Sequence, residues 1–229
     1  MAKKILVANW KQSGRREEAL AWVKMFDKER QLLAEGTQVI VCPPLKALDL
    51  VAQAITDKGL PIAISVQDVN LPLFEGEKNT GEVGAHLLAD SAPDAIVGHS
   101  ETRKNHKLSD EDVVEKVKLA KANNLTPVVC ISELDQVTAL KNLLGDFSDI
   151  IAYEPLFAIG SGNPDTPENA ETVAREITSI FPKTIVLYGG SVDANNVKGF
   201  LQQAHIAGVL VGNHSLDGSF FLEIVKHAH

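Results

Sequence analysis

The stretch IIAYEPLFAIGSG, residues 150–162, contains the pattern that the rest of the chain repeats and extends. Its first four residues are apolar or aromatic, as in a buried strand, and Glu154 and Pro155 follow where that strand ends. A short apolar run then leads to Gly-Ser-Gly, whose flexible backbone would let N–H groups approach an anion, as in a mobile lid. An ordinary surface loop with a solvated Glu154 is the other interpretation, and the remaining sequence has to decide between them.

Short runs rich in Val and Ile, each followed by a turn and an amphipathic helix, recur along all 229 residues. Because these runs are apolar on both faces, they are typical of parallel strands that are buried on both sides. We predict an α/β fold, a single (β/α)8 barrel domain over residues 1–229 with eight parallel strands and outer helices; an open doubly wound sheet is the alternative. The predicted strands are residues 4–8, 39–42, 62–66, 95–97, 127–131, 150–153, 184–187 and 208–211.

Short sequence patterns predict where several of the helices begin and where one long loop lies. Ser109 followed by three acids predicts the start of the helix after strand four, and Thr166-Pro167 predicts the start of the helix after the lid. Asp193 is expected to cap the helix after strand seven, which should end near residue 202. Residues 70–80 are expected to form a long polar loop.

Composition narrows the classes of partner. A net charge of -8 argues against nucleic acid and acidic membranes as partners. No apolar run approaches the ~20 residues that span a bilayer, and the start MAKKILVANWK does not resemble a signal peptide. Cys42 and Cys130 each end an apolar run and predict buried thiols in a reducing compartment, so we expect a cytoplasmic protein.

No cofactor or metal is expected. The nucleotide-binding patterns GxGxxG and GxxxxGK[ST] are both missing from the sequence. Of the seven histidines, only His99 follows a predicted strand with acids nearby, and no cluster has the spacing of metal ligands.

Polar residues gather where the predicted strands end. Since the active sites of (β/α)8 barrels lie at the carboxyl ends of the strands, these residues should meet at one mouth. Each has an ordinary explanation on its own, such as a solvated lysine or a tight turn, but their coincidence at five strand ends favours a site. They are Asn9-Trp10-Lys11, Gly98-His99-Ser100-Glu101, Glu154, Gly189-Gly190-Ser191 and Gly212-Asn213.

These residue types suit proton abstraction next to a carbonyl group. A carboxylate under an apolar lid is a good general base, because removal from water makes it more basic. Lys11 and His99 would stabilise an oxyanion, and glycine turns after strands seven and eight are the usual phosphate site of such barrels. The combination predicts an enediolate formed from a small phosphorylated sugar.

Taken together and in this order, these stretches resemble the triosephosphate isomerase family. The resemblance extends from the first strand to the last helix, and it includes Thr80-Gly81-Glu82 and Tyr188-Gly189-Gly190-Ser191-Val192. It implies the TIM barrel and a cofactor-independent isomerase that interconverts dihydroxyacetone phosphate and D-glyceraldehyde 3-phosphate through an enediolate, in glycolysis and gluconeogenesis.

The resemblance also implies a role for each matching residue. Glu154 would move the proton between two carbons, His99 would be the neutral electrophile, and Lys11 would hold the substrate with the help of Asn9. The phosphate would bind backbone N–H groups at Gly160, Ser191, Gly212 and Asn213. Glu101 would support Lys11, Tyr188 would hydrogen-bond the closed lid of residues 155–162, and Thr80 would touch the Lys11 region of a neighbouring subunit.

Three residues depart from the family pattern: Phe157 where Trp is usual, Asn163 where Lys is usual and Asn213 where Gly is usual. They leave open a barrel that binds phosphate ligands with weak or lost turnover. A Schiff-base aldolase is a further alternative, but it would want a lysine on strand six, where Glu154 stands. The resemblance implies a homodimer. A tetramer is the alternative, because the helical unit at residues 133–148 is shorter than usual, as in archaeal-type members of the family.

Overall fold

Eight parallel strands close into one barrel in the computed structural model, which describes residues 3–33, 36–74 and 79–228. Each strand pairs with the next, and β1 also pairs with β8. The closed barrel predicted from the sequence is therefore confirmed, and the open-sheet alternative is wrong. The strands are β1 (Lys4–Asn9), β2 (Thr37–Cys42), β3 (Ile62–Val66), β4 (Asp94–Val97), β5 (Thr126–Ile131), β6 (Ile150–Tyr153), β7 (Ile185–Tyr188) and β8 (Gly208–Val211).

Helices connect the strands on the outside of the barrel. Within the described ranges they are α1 (Arg16–Lys28), α2 (Leu45–Lys58), α3 (Ala85–Ala89), α4 (Ser100–His106), α5 (Asp110–Ala122), α6 (Leu134–Leu144), α7 (Pro167–Ile180), α8 (Val197–Leu201) and α9 (Gly218–His227). None of these helices has the length and apolar character needed to cross a membrane.

Alternate residues of each strand pack into two separate apolar layers. In β1, Ile5 and Val7 belong to the cluster that fills the barrel, whereas Leu6 and Ala8 belong to the cluster between barrel and helices. Burial on both faces explains why the strands are apolar throughout rather than alternating with polar residues. Cys42 and Cys130 are buried free thiols, as predicted.

The junction of β1 and β8 closes the barrel and depends on one glycine. Gly208 pairs with Ile5 in the strand register. A Cβ atom at position 208 would lie 2.1 Å from the carbonyl oxygen of Ile5, closer than any side-chain carbon can approach backbone. Only glycine lets the last strand lie against the first at this point.

Two predicted helix starts are confirmed. The Ser109 hydroxyl accepts from the N–H of Asp112 at the start of α5, and the Thr166 hydroxyl accepts from the N–H of Asn169 at the start of α7. Both bonds satisfy donors that would otherwise be unpaired in the first helical turn.

Two other connections differ from the prediction. An additional helix, α4, directly follows β4, because the His99 ring caps it by accepting from the N–H of Glu101. Asp193 does not cap a helix: its carboxylate accepts from the N–H groups of Asn195 and Asn196 in a turn, and α8 begins only at Val197. The predicted loop at residues 70–80 contains a short 3-10 helix, Pro72–Phe74, and its residues 75–78 lie outside the described residues.

Asp94, the first residue of β4, should make stability depend on pH. Burial raises the pKa of its carboxyl to about 6, against a smaller opposing effect of a hydrogen bond with the Thr126 side chain. A carboxyl whose pKa is higher in the folded chain than in the unfolded chain stabilises the fold at low pH, and this contribution is lost as the pH rises through about 6. We expect Asp94→Asn, which cannot ionise, to gain stability relative to the wild type by about 1 kcal/mol between pH 4 and pH 8, after allowance for partial exposure.

Urea unfolding of both proteins at the two pH values measures this difference. Asp90→Asn, which changes an exposed aspartate just before β4, is the matched control and should follow the wild type. An equal difference between Asp94→Asn and the wild type at both pH values would contradict the prediction.

Candidate active site

Glu154 is the buried carboxylate at the mouth of the barrel. It follows β6 directly, it is 1% exposed, and its backbone N–H donates to the carbonyl of Ile131. One carboxylate oxygen, Oε1, lies 3.2 Å from Nε2 of His99, while Oε2 is buried without a hydrogen-bond partner among the described residues. Gly189 makes room for this side chain, because a Cβ atom there would lie 2.8 Å from Cγ of Glu154. The site therefore contains a carboxylate oxygen that is shielded from solvent and free to accept a proton.

The ring of His99 is oriented by the helix that it caps. Its Nδ1 accepts from the N–H of Glu101 at 3.2 Å, so the neutral ring carries its proton on Nε2, facing Glu154. Burial lowers the pKa of His99 and the Glu154 carboxylate raises it, and the net effect is a raised pKa. The protonation of this ring consequently depends on whether Glu154 stays in contact with it.

Lys11 is held in an uncommon backbone conformation just after β1. Its φ of 52° lies in the left-handed region, which costs a residue other than glycine roughly 1–3 kcal/mol. Its N–H donates to the Asn9 side chain at 3.1 Å, and its carbonyl accepts from the Gln67 side chain at 2.9 Å. The Lys11 ammonium lies 2.6 Å from Glu101, which makes Glu101 its ion-pair partner.

The lid leaves β6 through Pro155 and forms a short 3-10 helix, Leu156–Ala158. Ala158 is buried and Ile159 lines the cavity, whereas Leu156 and Phe157 are 68% and 59% exposed. Of the apolar residues of the lid, Ala158 and Ile159 therefore face the interior or the cavity, and the two residues before them do not.

Hydrogen bonds attach the far end of the lid to the segment after β7. The Ser191 hydroxyl donates to the carbonyl of Ala158 and accepts from the N–H of Gly162 at 3.2 Å. The phenol oxygen of Tyr188 accepts from the N–H of Asp165 at 2.8 Å, three residues beyond the lid, so a hydrogen bond between Tyr188 and the lid itself stays a prediction. These bonds hold the lid over the mouth of the barrel.

A cavity of about 350 Å³ lies beneath the lid. It brings together seven of the predicted site residues, which are Lys11, His99, Glu154, Gly160, Ser191, Gly212 and Asn213. Asn9 and Glu101 do not line the cavity but contact Lys11, which does, and Tyr188 bonds to Asp165 outside the lining. Thr80 is exposed, next to residues 75–78, and is not among the described residues that line the cavity.

Two residues near the mouth of the barrel were not identified from the sequence. Gln67 bridges the carbonyls of Lys11 and Cys42, and the signal for it was a polar residue directly after strand three. His214 lines the cavity two residues after Gly212, and the signal was its position just beyond the end of strand eight.

The arrangement has the parts of an acid–base site for a small anion. A shielded carboxylate, an imidazole and an ammonium face one cavity, and glycine-containing turns border it. Among the described residues, no group of three or more His, Cys, Asp or Glu side chains is placed to hold a metal ion.

Comparison with known proteins gives one family. A family model described as triosephosphate isomerase matches residues 4–228. The curated proteins similar to this chain include triosephosphate isomerases of Mesomycoplasma hyopneumoniae, 34% identical over 99% of this chain and 100% of the relative, and of Gluconacetobacter diazotrophicus, 35% identical over 99% and 98%. The triosephosphate isomerase of Buchnera aphidicola is 34% identical over 100% of this chain and 98% of the relative.

Replacing Glu154 with glutamine should lower the pKa of His99. The substitution removes the carboxylate that raises this pKa and leaves burial, which lowers it. The imidazole nitrogens, followed by 15N NMR during a pH titration, report the change. Glu101→Gln is the control, because the Glu101 carboxylate lies farther from the ring, at 3.9 Å from Nδ1, and its effect is the smallest of those acting on His99. A pKa of His99 that is the same or higher in Glu154→Gln would contradict this account of the pair.

Proposed function

The chain belongs to the triosephosphate isomerase family, and we propose that Glu154, His99 and Lys11 carry out the reaction of that family in this protein. It is an isomerase that interconverts dihydroxyacetone phosphate and D-glyceraldehyde 3-phosphate, a step of glycolysis that gluconeogenesis uses in reverse. The resemblance noted in the sequence is thereby confirmed, and no observation favours an aldolase or a barrel that only binds.

Glu154 is the base in this proposal. It takes a proton from the carbon next to the carbonyl and returns it to the neighbouring carbon, with an enediolate between the two transfers. The observation that carries the assignment is the buried Oε2 atom, for which the described residues provide no hydrogen-bond partner, on a carboxylate that lines the cavity.

His99 moves the proton between the substrate oxygens. A neutral imidazole in this role, under a closing lid, is established for the family. In this chain, a ligand between His99 and Glu154 would separate the ring from the carboxylate. Burial and the Glu101 N–H at Nδ1 would then favour the neutral ring, and Nε2–H would donate to the oxygen that gains charge.

Lys11 supplies positive charge to the enediolate. Its ammonium is partly exposed and paired with Glu101, so a bound anion would share or replace that partner. Asn9 and Gln67 support the role because they hold the backbone of Lys11 in the conformation that brings its side chain to the cavity.

The phosphate of the substrate would bind the backbone N–H groups of Gly160, Ser191, Gly212 and Asn213. All four residues line the cavity, on the lid and on the segments after β7 and β8. The hydrogen bonds of Ser191 with Ala158 and Gly162, and that of Tyr188 with Asp165 just beyond the lid, would keep the lid closed over the enediolate, which would otherwise eliminate its phosphate.

We further propose that the chain is one domain and forms a homodimer in the cytoplasm. Leu45, Leu73 and Leu87 are all more than half exposed, and Leu45 lines a surface cavity together with Leu71 and Gly81, beside Thr80. An exposed apolar surface of this kind is typical of a contact between subunits. The two buried free thiols agree with a reducing compartment.

Glu154→Gln tests the catalytic assignment. The substitution keeps the size and polarity of the side chain but removes the base, so isomerisation of D-glyceraldehyde 3-phosphate should slow by ~10²-fold or more in kcat. Fast turnover by the variant would show that Glu154 is not the base. A stable gain of mass on a lysine after borohydride treatment with substrate, from reduction of an imine between that lysine and the substrate, would indicate the aldolase instead.

Sedimentation velocity tests the homodimer. Leu73→Asp should convert dimers to monomers, because it places a charge in the proposed contact, and activity should fall with the dimer. Leu143→Asp, at an exposed leucine of α6, is the control. Dissociation by the Leu143 variant and not by the Leu73 variant would place the contact on α6 and contradict the proposal.

A further inference from the structure

His214 is a cavity residue that the catalytic scheme leaves without a role. It follows Gly212 and Asn213 after β8, in a short 3-10 helix, and it lines the cavity with them. Its Nδ1 atom lies 3.0 Å from the carbonyl oxygen of Val192, the residue after Ser191. The ring therefore connects the two segments on which we place the phosphate.

The contact with Val192 occupies Nδ1 of His214 and leaves Nε2 as the ring nitrogen that can bind a ligand. A carbonyl oxygen accepts only, so Nδ1 of His214 must carry a hydrogen and donate. In the neutral ring, Nε2 is then an acceptor, and it becomes a donor only when the ring is protonated. Since the side chain is exposed at the cavity wall, protonation needs no rearrangement of the interior.

The other cations of the cavity wall already have carboxylate partners. Lys11 is paired with Glu101 at 2.6 Å, and His99 lies 3.2 Å from Glu154. No ion pair between described residues includes His214. A protonated His214 would therefore be a positive charge without a carboxylate partner, next to the segments on which we place the phosphate. The net charge of the whole chain is -8, so attraction of an anionic substrate must come from local groups of this kind.

The titratable residues that line the cavity together with His214 are Lys11, His99 and Glu154. Asp217, just before α9, accepts from the N–H and hydroxyl of Ser219.

Asp193 is next to Val192 and accepts from backbone N–H groups in its own turn. The His214 ring also packs perpendicular to the ring of Phe220, an uncharged neighbour on α9, with ring centroids 6.4 Å apart.

We propose that His214 determines affinity for the phosphate end of the substrate, through donation from Nε2–H of its protonated ring. The inference rests on the phosphate position given under the proposed function. The phosphate does not change during isomerisation, so its contacts bind ground state and transition state alike and act on KM rather than kcat. A ring that donates from both nitrogens is charged, so the contribution of His214 to substrate affinity should be greater at lower pH.

The test compares KM and kcat from pH 5.5 to 8.5 for the wild type, His214→Asn and His227→Asn. Asparagine at position 214 keeps an N–H donor for Val192 and cannot become charged. His227 is the matched control, because its Nδ1 also lies near a backbone carbonyl, that of Glu223 at 2.8 Å, on an exposed part of α9 outside the cavity lining. The phosphate of the substrate titrates equally in all three proteins, so the ratio of KM values isolates the side chain.

We expect KM of His214→Asn to exceed that of the wild type by about tenfold at pH 5.5 and by less than about twofold at pH 8.5, with kcat unchanged. His227→Asn should follow the wild type throughout. If the ratio of KM values between His214→Asn and the wild type does not change with pH, the role of His214 is only to connect the two segments, and the proposal is overturned. A fall in kcat without a change in KM would overturn it too.

Failure of the proposed function gives a different result, namely a wild type that does not turn over substrate at any pH. Calorimetric binding of inorganic phosphate to the wild type and His214→Asn at pH 5.5 and 8.5 then still decides the inference. Weaker binding by the variant at the lower pH only would support it, and equal binding would overturn it.

Discussion

Closure of the sheet between β1 and β8 is the constraint on which the rest of the structure depends. Parallel strands all point the same way, so a closed barrel gathers their carboxyl ends around one mouth. Gly208 permits this closure against the carbonyl of Ile5. In an open sheet, Lys11 after β1 and Asn213 after β8 would lie at opposite edges. In the barrel they line one cavity, and the site follows from that geometry.

Closure also determines the electrostatics of the mouth. Glu154 and His99 are both buried, and each compensates part of the cost of removing the other from water. The carboxylate keeps one oxygen without a partner, and Lys11 keeps a backbone conformation that other residues must hold in place. Unsatisfied polar groups and backbone strain are common at functional sites, and each costs free energy of folding. The two apolar layers of the barrel contribute the stability that offsets this cost.

Predictions from short sequence patterns were correct where the stabilising hydrogen bond joins residues close together in the chain. Ser109 and Thr166 start helices because a hydroxyl can reach an N–H three residues ahead. The same logic was wrong for Asp193, whose carboxylate satisfies two N–H groups in a turn, and it overlooked α4, which is capped by the imidazole of His99. Competing local hydrogen bonds of similar energy are resolved by the packing around them, which a short window of sequence does not contain.

The sequence by itself determined the eight-stranded barrel, the strand ends that carry Lys11, His99 and Glu154, and the family to which they point. Periodicity, turn residues and motif spacing are properties of a few neighbouring residues, so they can be read without coordinates. Only the tertiary structure decided that Gln67 supports Lys11 from 56 residues away, that Leu156 and Phe157 of the lid are largely exposed, and that His214 connects two segments of the cavity wall. These contacts join residues that are distant in the chain, and they exist only because the closed barrel brings them to one place.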